Sequence, residues 1–318
     1  MAIIRKEIPY GDTTLVLETG RVARQCYAIM CSNGDSQNLV TVARSSRRSD
    51  RDFLPLTVDY QEKTYSAVNI PGGYFRREGM PRPDEVLIAR IIDRTIRPLF
   101  PSNWRYETQV ISTVMSFDGE YQLDACSLTG ASAALAMSPV PWAEDGPVAG
   151  VRVARVNGEL VMNPTVAQRD DSDIDMMVGC SETAIVMVEG GADEAEEADV
   201  IEALYFAFDA AQPIIAAIRE LAAEINPTKI EWTADELDSD LYEVVKTTAE
   251  GLGFHAALEQ PVKLDRYAAI DVCKAALKDN LLSQDAYADR GAEISACFGE
   301  LKHHTMRHSV LSTKKRIG

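Results

Sequence analysis

Four segments between residues 13 and 60 alternate apolar and polar side chains with a period of two, and this pattern limits what the chain can become more than any other. They are 14–18 (TLVLE), 26–31 (CYAIMC), 38–43 (NLVTVA) and 53–60 (FLPLTVDY), separated by turn clusters such as SNGD at 32–35. An alternating run buries one strand face and leaves the other to water, so the N-terminal region is expected to fold as a meander of half-buried sheet. Residues 84–100 change period: Val86, Leu87, Ile88, Ile91, Ile92 and Ile96 supply the apolar positions of a helix that Pro98 and Pro101 stop. A strand is expected at 108–115. The small-residue segment 124–138, with GASAALA from Gly130, suits a buried helix lying close on a sheet.

Four further strands are expected at 148–153, 160–162, 174–178 and 184–188, the last two as a hairpin over 179–182. The acidic run 193–199 then opens a long helix with Ile201, Tyr205 and Phe208 at helical spacing. Pro213 and a second amphipathic stretch follow, ending at Asn226 and Pro227. Beyond Pro227 the alternation stops, and 233–310 reads as short helices broken at Gly251, Gly253 and Pro261. The fold class expected is α+β: a mixed sheet packed with helices over residues 1–228, followed by an all-helical domain over 229–318.

Charge and composition exclude several functions. The apolar runs 133–140 and 213–218 fall short of the roughly 20 residues that cross a bilayer. The N-terminus carries no apolar leader, so a cytoplasmic chain with no membrane partner is expected. Six cysteines, at 26, 31, 126, 180, 273 and 297, form no C-x-x-C pair and read as small buried hydrophobes. A net charge of −17, spread evenly, would exclude a nucleic-acid ligand. The charge is polarised instead: residues 1–110 carry 16 basic and 13 acidic side chains, leaving a net −20 beyond them, so a basic site on an acidic body is allowed.

The chemistry concentrates in residues 74–100, which hold six arginines and no lysine. Arg90, Arg94 and Arg97 stand at i, i+4 and i+7, within about 60° of one another on one helical stripe. Before them, PGGYFRR at 71–77 is a glycine-hinged loop with Tyr74 and Phe75 beside Arg76 and Arg77, the composition that stacks on unpaired bases and clasps phosphates. Guanidinium is the better choice here, because its planar fork gives a phosphate two hydrogen bonds. A structural alternative has equal weight: Phe75 in the core and the arginines paired with Glu78, Asp84, Glu85 and Asp93. No phosphate-loop signature occurs, and GLGFHA at 251–256 has no strand before it. Glu300, His304 and His308, spaced by four, read as an exposed polar helix face rather than a metal site.

Residues 17–25 (LETGRVARQ), 53–65 (FLPLTVDYQEKTY), 74–79 (YFRREG), 87–101 (LIARIIDRTIRPLFP) and 130–135 (GASAAL) together resemble the bacterial polynucleotide phosphorylase family. The resemblance covers the chain from residue 5 onward, more weakly in the helical part. It implies the first of two ribonuclease PH-like domains followed by a helical domain. Such an enzyme degrades single-stranded RNA from the 3′ end in mRNA turnover, with inorganic phosphate as co-substrate and nucleoside diphosphates as products. It works as a homotrimeric ring, with possible partners in RNA-degradation assemblies. By this likeness the chain is the N-terminal half of such a protein and is catalytically incomplete. The phosphate-binding serines and the aspartate pair that holds Mg²⁺ belong to the second ribonuclease PH-like domain.

The equivalent turn here reads QLDAC at 122–126, and six residues before Asp173 stands Ala167. Asp124 is expected to repel phosphate, Ala167 cannot ligate a metal, and Asp173 with Asp175 makes an incomplete pair, so no metal site is expected in this chain. The resemblance assigns RNA contacts to Tyr74, Phe75, Arg76 and Arg77 and phosphate-side catalytic assistance to Arg90 and Arg94; the helical stripe adds Arg97 to the expected RNA contacts. Tyr74 departs from the family's usual Phe but keeps a stacking face. Two other functions stand beside this one: a non-catalytic, ring-forming RNA-binding module, and a degenerate pocket with some nucleotide phosphotransfer of its own.

Overall fold

The alternating segments form strands, in a computed structural model that describes residues 3–51, 53–101, 103–142, 146–232 and 237–316. Strands β1 (Ile4–Tyr10), β2 (Thr13–Thr19), β3 (Tyr27–Asn33) and β4 (Ser36–Arg48) run antiparallel in chain order. The meander ends there, and the expectation that it continues to residue 60 is corrected. Strand β5 (Leu56–Glu62) pairs in parallel with β6 (Tyr106–Ser116), which itself lies antiparallel against β4, giving the order β1-β2-β3-β4-β6-β5. Parallel neighbours need a long crossover. Here it holds α1 (Pro83–Ile96), which packs on β5. β5 is therefore an edge strand, and the segment carrying Tyr74 to Arg77 leaves from its C-terminal end.

Helix α2 (Asp124–Met137) is buried along nearly its whole length because it packs on β3 and β4 and on a second sheet. That sheet holds β7 (Ala149–Val156), β8 (Glu159–Met162), β9 (Ile174–Cys180) and β10 (Ile185–Ala192) in the order β10-β9-β7-β8, all antiparallel. Small residues make the fit possible: a Cβ on Gly130 would stand 2.6 Å from Cys31 Sγ, and one on Gly150 2.7 Å from the Ala125 carbonyl. A short helix not foreseen in the sequence, α3 (Val166–Asp170), joins β8 to β9 and is capped by Thr165.

Helix α4 (Glu197–Ile225) runs unbroken through Pro213, which withholds one backbone N–H from the helix ladder. It docks through Ala203, Ala207, Ala211, Ile214, Ile218 and Leu221, whereas Ile201 and Tyr205, apolar residues at helical spacing in the sequence, face outward. Alanines allow the close approach to β7 and α2 that larger side chains would prevent. By length and composition this helix could cross a membrane, a span that the short contiguous apolar runs had hidden. Its alanine stripe and its acidic first turn, Glu197 and Asp199, make it instead the core helix of this unit.

The chain divides into units Met1–Ala234 and Asp235–Gly318. Trp232, whose ring centroid lies 5.3 Å from that of Trp104, and Ile230, whose N–H donates to the Pro139 carbonyl, carry the first unit a few residues past the expected boundary at 228. The second unit packs α5 (Ser239–Gly251), α6 (Phe254–Leu258), α7 (Lys263–Leu282) and α8 (Gly291–Thr313) around Leu241, Phe254, Leu277 and Phe298. All six cysteines are free thiols, five buried and Cys26 half-buried.

Candidate nucleic-acid interface

Gly73 adopts φ +82°, a left-handed backbone that glycine enters without strain, and starts a turn in which the Arg76 N–H donates to the Gly73 carbonyl at 3.4 Å. The turn pushes its side chains into solvent. Tyr74 is 94% and Phe75 79% exposed, their rings edge to face with centroids 5.3 Å apart. Arg76 and Arg77 are also exposed and make no side-chain hydrogen bond or ion pair with a described residue. Glu78, which the structural alternative paired with them, instead accepts from the Thr64 backbone N–H and hydroxyl at 2.8 and 3.0 Å and anchors the far side of the loop. Phe75 is therefore not core, and the alternative fails for this loop.

On α1 the three arginines part company. Arg90 is exposed and lines a cleft of about 250 Å³ with Val58, Tyr60 and Asp93, unpaired among the described residues. Arg94 lies 3.4 Å from Glu189 of β10, both side chains more than half exposed, an ion pair that water and salt weaken. Arg97 turns away. It forks onto Asp93 at 2.6 and 2.8 Å and donates to the carbonyls of Leu54 and Leu56, which ties α1 to β5. Four of its five N–H donors are committed within the fold, which leaves one for any ligand. Glu85 likewise serves the backbone, accepting from the N–H groups of Glu62 and Arg82.

Asp124, Asp173 and Asp175 are held in two groups of ion pairs. Arg152 of β7 donates to both oxygens of Asp175 at 2.7 and 2.6 Å and to Asp124, which is buried at the start of α2. Arg169 of α3 adds a bond to Asp175 at 3.0 Å, while Arg155 holds Asp173 at 2.5 Å and Asp199 of α4 at 2.5 Å. Burial pushes the Asp175 carboxyl up, but the two guanidiniums outweigh it and hold the group below its ordinary value. Asp173 is held down by its bonds from Arg155. The expectation that Asp124 faces and repels phosphate is corrected: its carboxylate is buried and paired with Arg152.

Sequence reading missed these three arginines. The available signal was Arg152 and Arg155 in the otherwise apolar strand AGVRVARV, which demands acids on the neighbouring strand.

Residues 14–141 match the family model described as 3′ exoribonuclease family, domain 1, and residues 146–210 match domain 2 of the same family. The chain belongs to the 3′ exoribonuclease family. Residues 240–318 match the model described as polyribonucleotide nucleotidyltransferase, RNA binding domain. A polyribonucleotide nucleotidyltransferase from Sorangium cellulosum (strain So ce56) is 42% identical over 324 residues, which takes in 99% of this chain and 42% of that protein. The chain thus spans about two fifths of the length of that curated relative. In order, its matches are those of the N-terminal region of a polyribonucleotide nucleotidyltransferase.

The residues present do not fit Mg²⁺, because Asp173 and Asp175 already spend their oxygens on arginines and Ala167 offers none. Among the described residues no three His, Cys, Asp or Glu side chains gather as a metal site. On α8, Glu300 pairs with His304 at 2.8 Å on an exposed face. What the fold leaves exposed is the aromatic-arginine loop and the guanidiniums of Arg90 and Arg94, the latter beside Glu189.

Proposed function

We propose that this chain is the N-terminal part of a phosphate-dependent 3′-to-5′ exoribonuclease, a polyribonucleotide nucleotidyltransferase that shortens single-stranded RNA and releases nucleoside diphosphates. The observation that carries this reading is the loop: two fully presented aromatic rings beside two unpaired arginines, in a chain of this family. Bases stack on such rings whatever their sequence, and the guanidiniums take the intervening phosphates. Tyr74, Phe75, Arg76 and Arg77 form an RNA-guiding constriction in a homotrimeric cytoplasmic ring. Arg90 and Arg94 face the reacting phosphate from this side.

In phosphorolysis an oxygen of inorganic phosphate attacks the phosphorus of the last phosphodiester. The 3′ oxygen of the preceding nucleotide leaves, and charge builds on the oxygens in between. Fixed guanidiniums stabilise that charge without reorganising. Residues outside this chain would supply Mg²⁺ binding and phosphate positioning, since Asp173 and Asp175 here are bound by Arg152, Arg155 and Arg169.

The test is binding of poly(A) by Phe75→Ala, with a thermal melt alongside. Loss of roughly 1–3 kcal/mol of affinity through lost stacking is expected, with an unchanged Tm because the ring is exposed. Unaltered affinity would remove the loop from the RNA path.

A further inference from the structure

A cleft of about 360 Å³ lies at the opposite end of β5 from the aromatic-arginine loop, where β4, β5 and β6 come into register at Ala43, Thr57 and Gln109. Its walls include Arg44, Ser45, Arg51, Thr57 and Gln109, with Glu107 the one carboxylate among its lining residues. The stretch from residue 44 to 51 carries four arginines against one aspartate. Arg44 is set over the Tyr106 ring, 5.8 Å from its centroid, and donates to the Ser45 carbonyl. Arg51 lies 5.6 Å from the centroid of Phe53, a ring 55% exposed. Neither guanidinium is paired with a carboxylate among the described residues.

Hydrogen-bond donors therefore dominate this cleft, and two of them are planar cations. Phosphodiester oxygens are acceptors only, and a guanidinium binds them through two parallel bonds. Phe53, under the guanidinium of Arg51, adds what a free anion has no use for, an exposed aromatic face beside a cation. The combination repeats the chemistry of the 74–77 loop, which follows the other end of β5.

We propose that the cleft is a second binding site for single-stranded RNA, with backbone phosphates on Arg44 and Arg51 and a base on Phe53. The inference rests on the reading of the chain as an RNA-processing protein, and the experiment separates the two.

Fluorescence anisotropy of a labelled oligo(A) with the full 318-residue chain, across a salt series, tests it. The change Arg44→Ala with Arg51→Ala is expected to weaken binding and to flatten log K against log salt by about 0.7 for each phosphate left without its guanidinium. Phe53→Ala is expected to weaken binding roughly five- to hundredfold with the slope unchanged. Arg51→Glu, at an exposed position, supplies a variant that leaves the Tyr106 packing alone, and it should weaken binding further than Arg51→Ala.

If Arg51→Glu and the double variant bind oligo(A) like the unmodified chain while Arg76→Ala with Arg77→Ala binds less, the cleft is overturned and the loop stands. The converse pattern supports the cleft and removes the loop. Calorimetric binding of inorganic phosphate that depends on Arg51, with RNA affinity unaffected, makes this a free-anion site and overturns the proposal. Absence of any RNA binding by the unmodified chain overturns both readings.

Discussion

Arg152 is the residue whose loss would be felt most, because it neutralises a buried aspartate and a half-buried one together. Arg152→Met leaves Asp124 charged and unpaired in the interior and is expected to destabilise the first unit by about 3–5 kcal/mol in urea melts. Adding Asp124→Leu should recover much of that loss, since the pair together costs desolvation that an apolar pair does not; no recovery would mean that Arg152 acts mainly through Asp175. Asp175 makes its own prediction. Its folded pKa lies below the unfolded value of about 3.9, so it adds stability above that pH and loses it as pH falls through the folded value. Between pH 5 and pH 2 the unmodified chain should therefore lose stability more steeply than Asp175→Asn. Parallel curves would show that the carboxyl is not held down. Little of this pairing was legible residue by residue: two arginines in an apolar strand call for acids nearby, but the acids stood out as remnants of a metal site, and only the fold set Arg152, Arg155 and Arg169 against them. The exposure of Phe75 was equally hidden, because the same aromatic fits a core or a loop tip and composition does not say which.

At the scale of elements, α2 shows how a sequence pattern becomes a position. Its run of small residues was readable as a buried helix, and Gly130 shows why: a methyl group there meets Cys31 Sγ at 2.6 Å and Val40 Cγ2 at 2.7 Å. Gly130→Ala is expected to cost about 1–3 kcal/mol through overpacking, measurable as a lower Tm; a neutral result would require β3 and β4 to give way at no cost. The far end of α2 depends on one side chain. Lys229 Nζ donates to the carbonyls of Leu135, Ala136 and Ser138 at 3.3, 2.9 and 2.7 Å and places a cation at the negative end of the helix dipole. Lys229→Met should cost up to about 2 kcal/mol. The helix end could not be paired with Lys229 from sequence, since more than 90 residues separate them. Strand β5 is the clearest case of an element seen but misplaced. Its alternation marked it as a strand, yet its partner is β6 across a helix rather than β4 across a turn, and only that arrangement sends the loop and the arginine-lined cleft to opposite ends of one edge strand.

At the scale of the whole molecule, the prediction concerns activity. The chain alone, given single-stranded RNA, phosphate and Mg²⁺, is expected to release no nucleoside diphosphate, because Asp173 and Asp175 are taken up by arginines and Ala167 offers no ligand. Product release that Asp173→Asn abolishes would establish a working centre here. What the sequence by itself determined is the periodic part: alternation marked most of the strands, helical spacing found α1, the acidic run at 193–199 marked the start of α4, the loss of alternation after Pro227 marked the change to helices, and five motifs in order carried the family. These features are local or linear, and a period of two or 3.6 is visible along the chain wherever one face is buried. Tertiary structure alone decided which strands pair, which of three arginines on one helical stripe is spent on Asp93, and whether four aspartates are open to a ligand or closed by guanidiniums. Those outcomes depend on side chains that approach from distant segments. An arginine's role is set by whether a carboxylate or a carbonyl lies within about 3 Å of it, and no linear pattern records that distance.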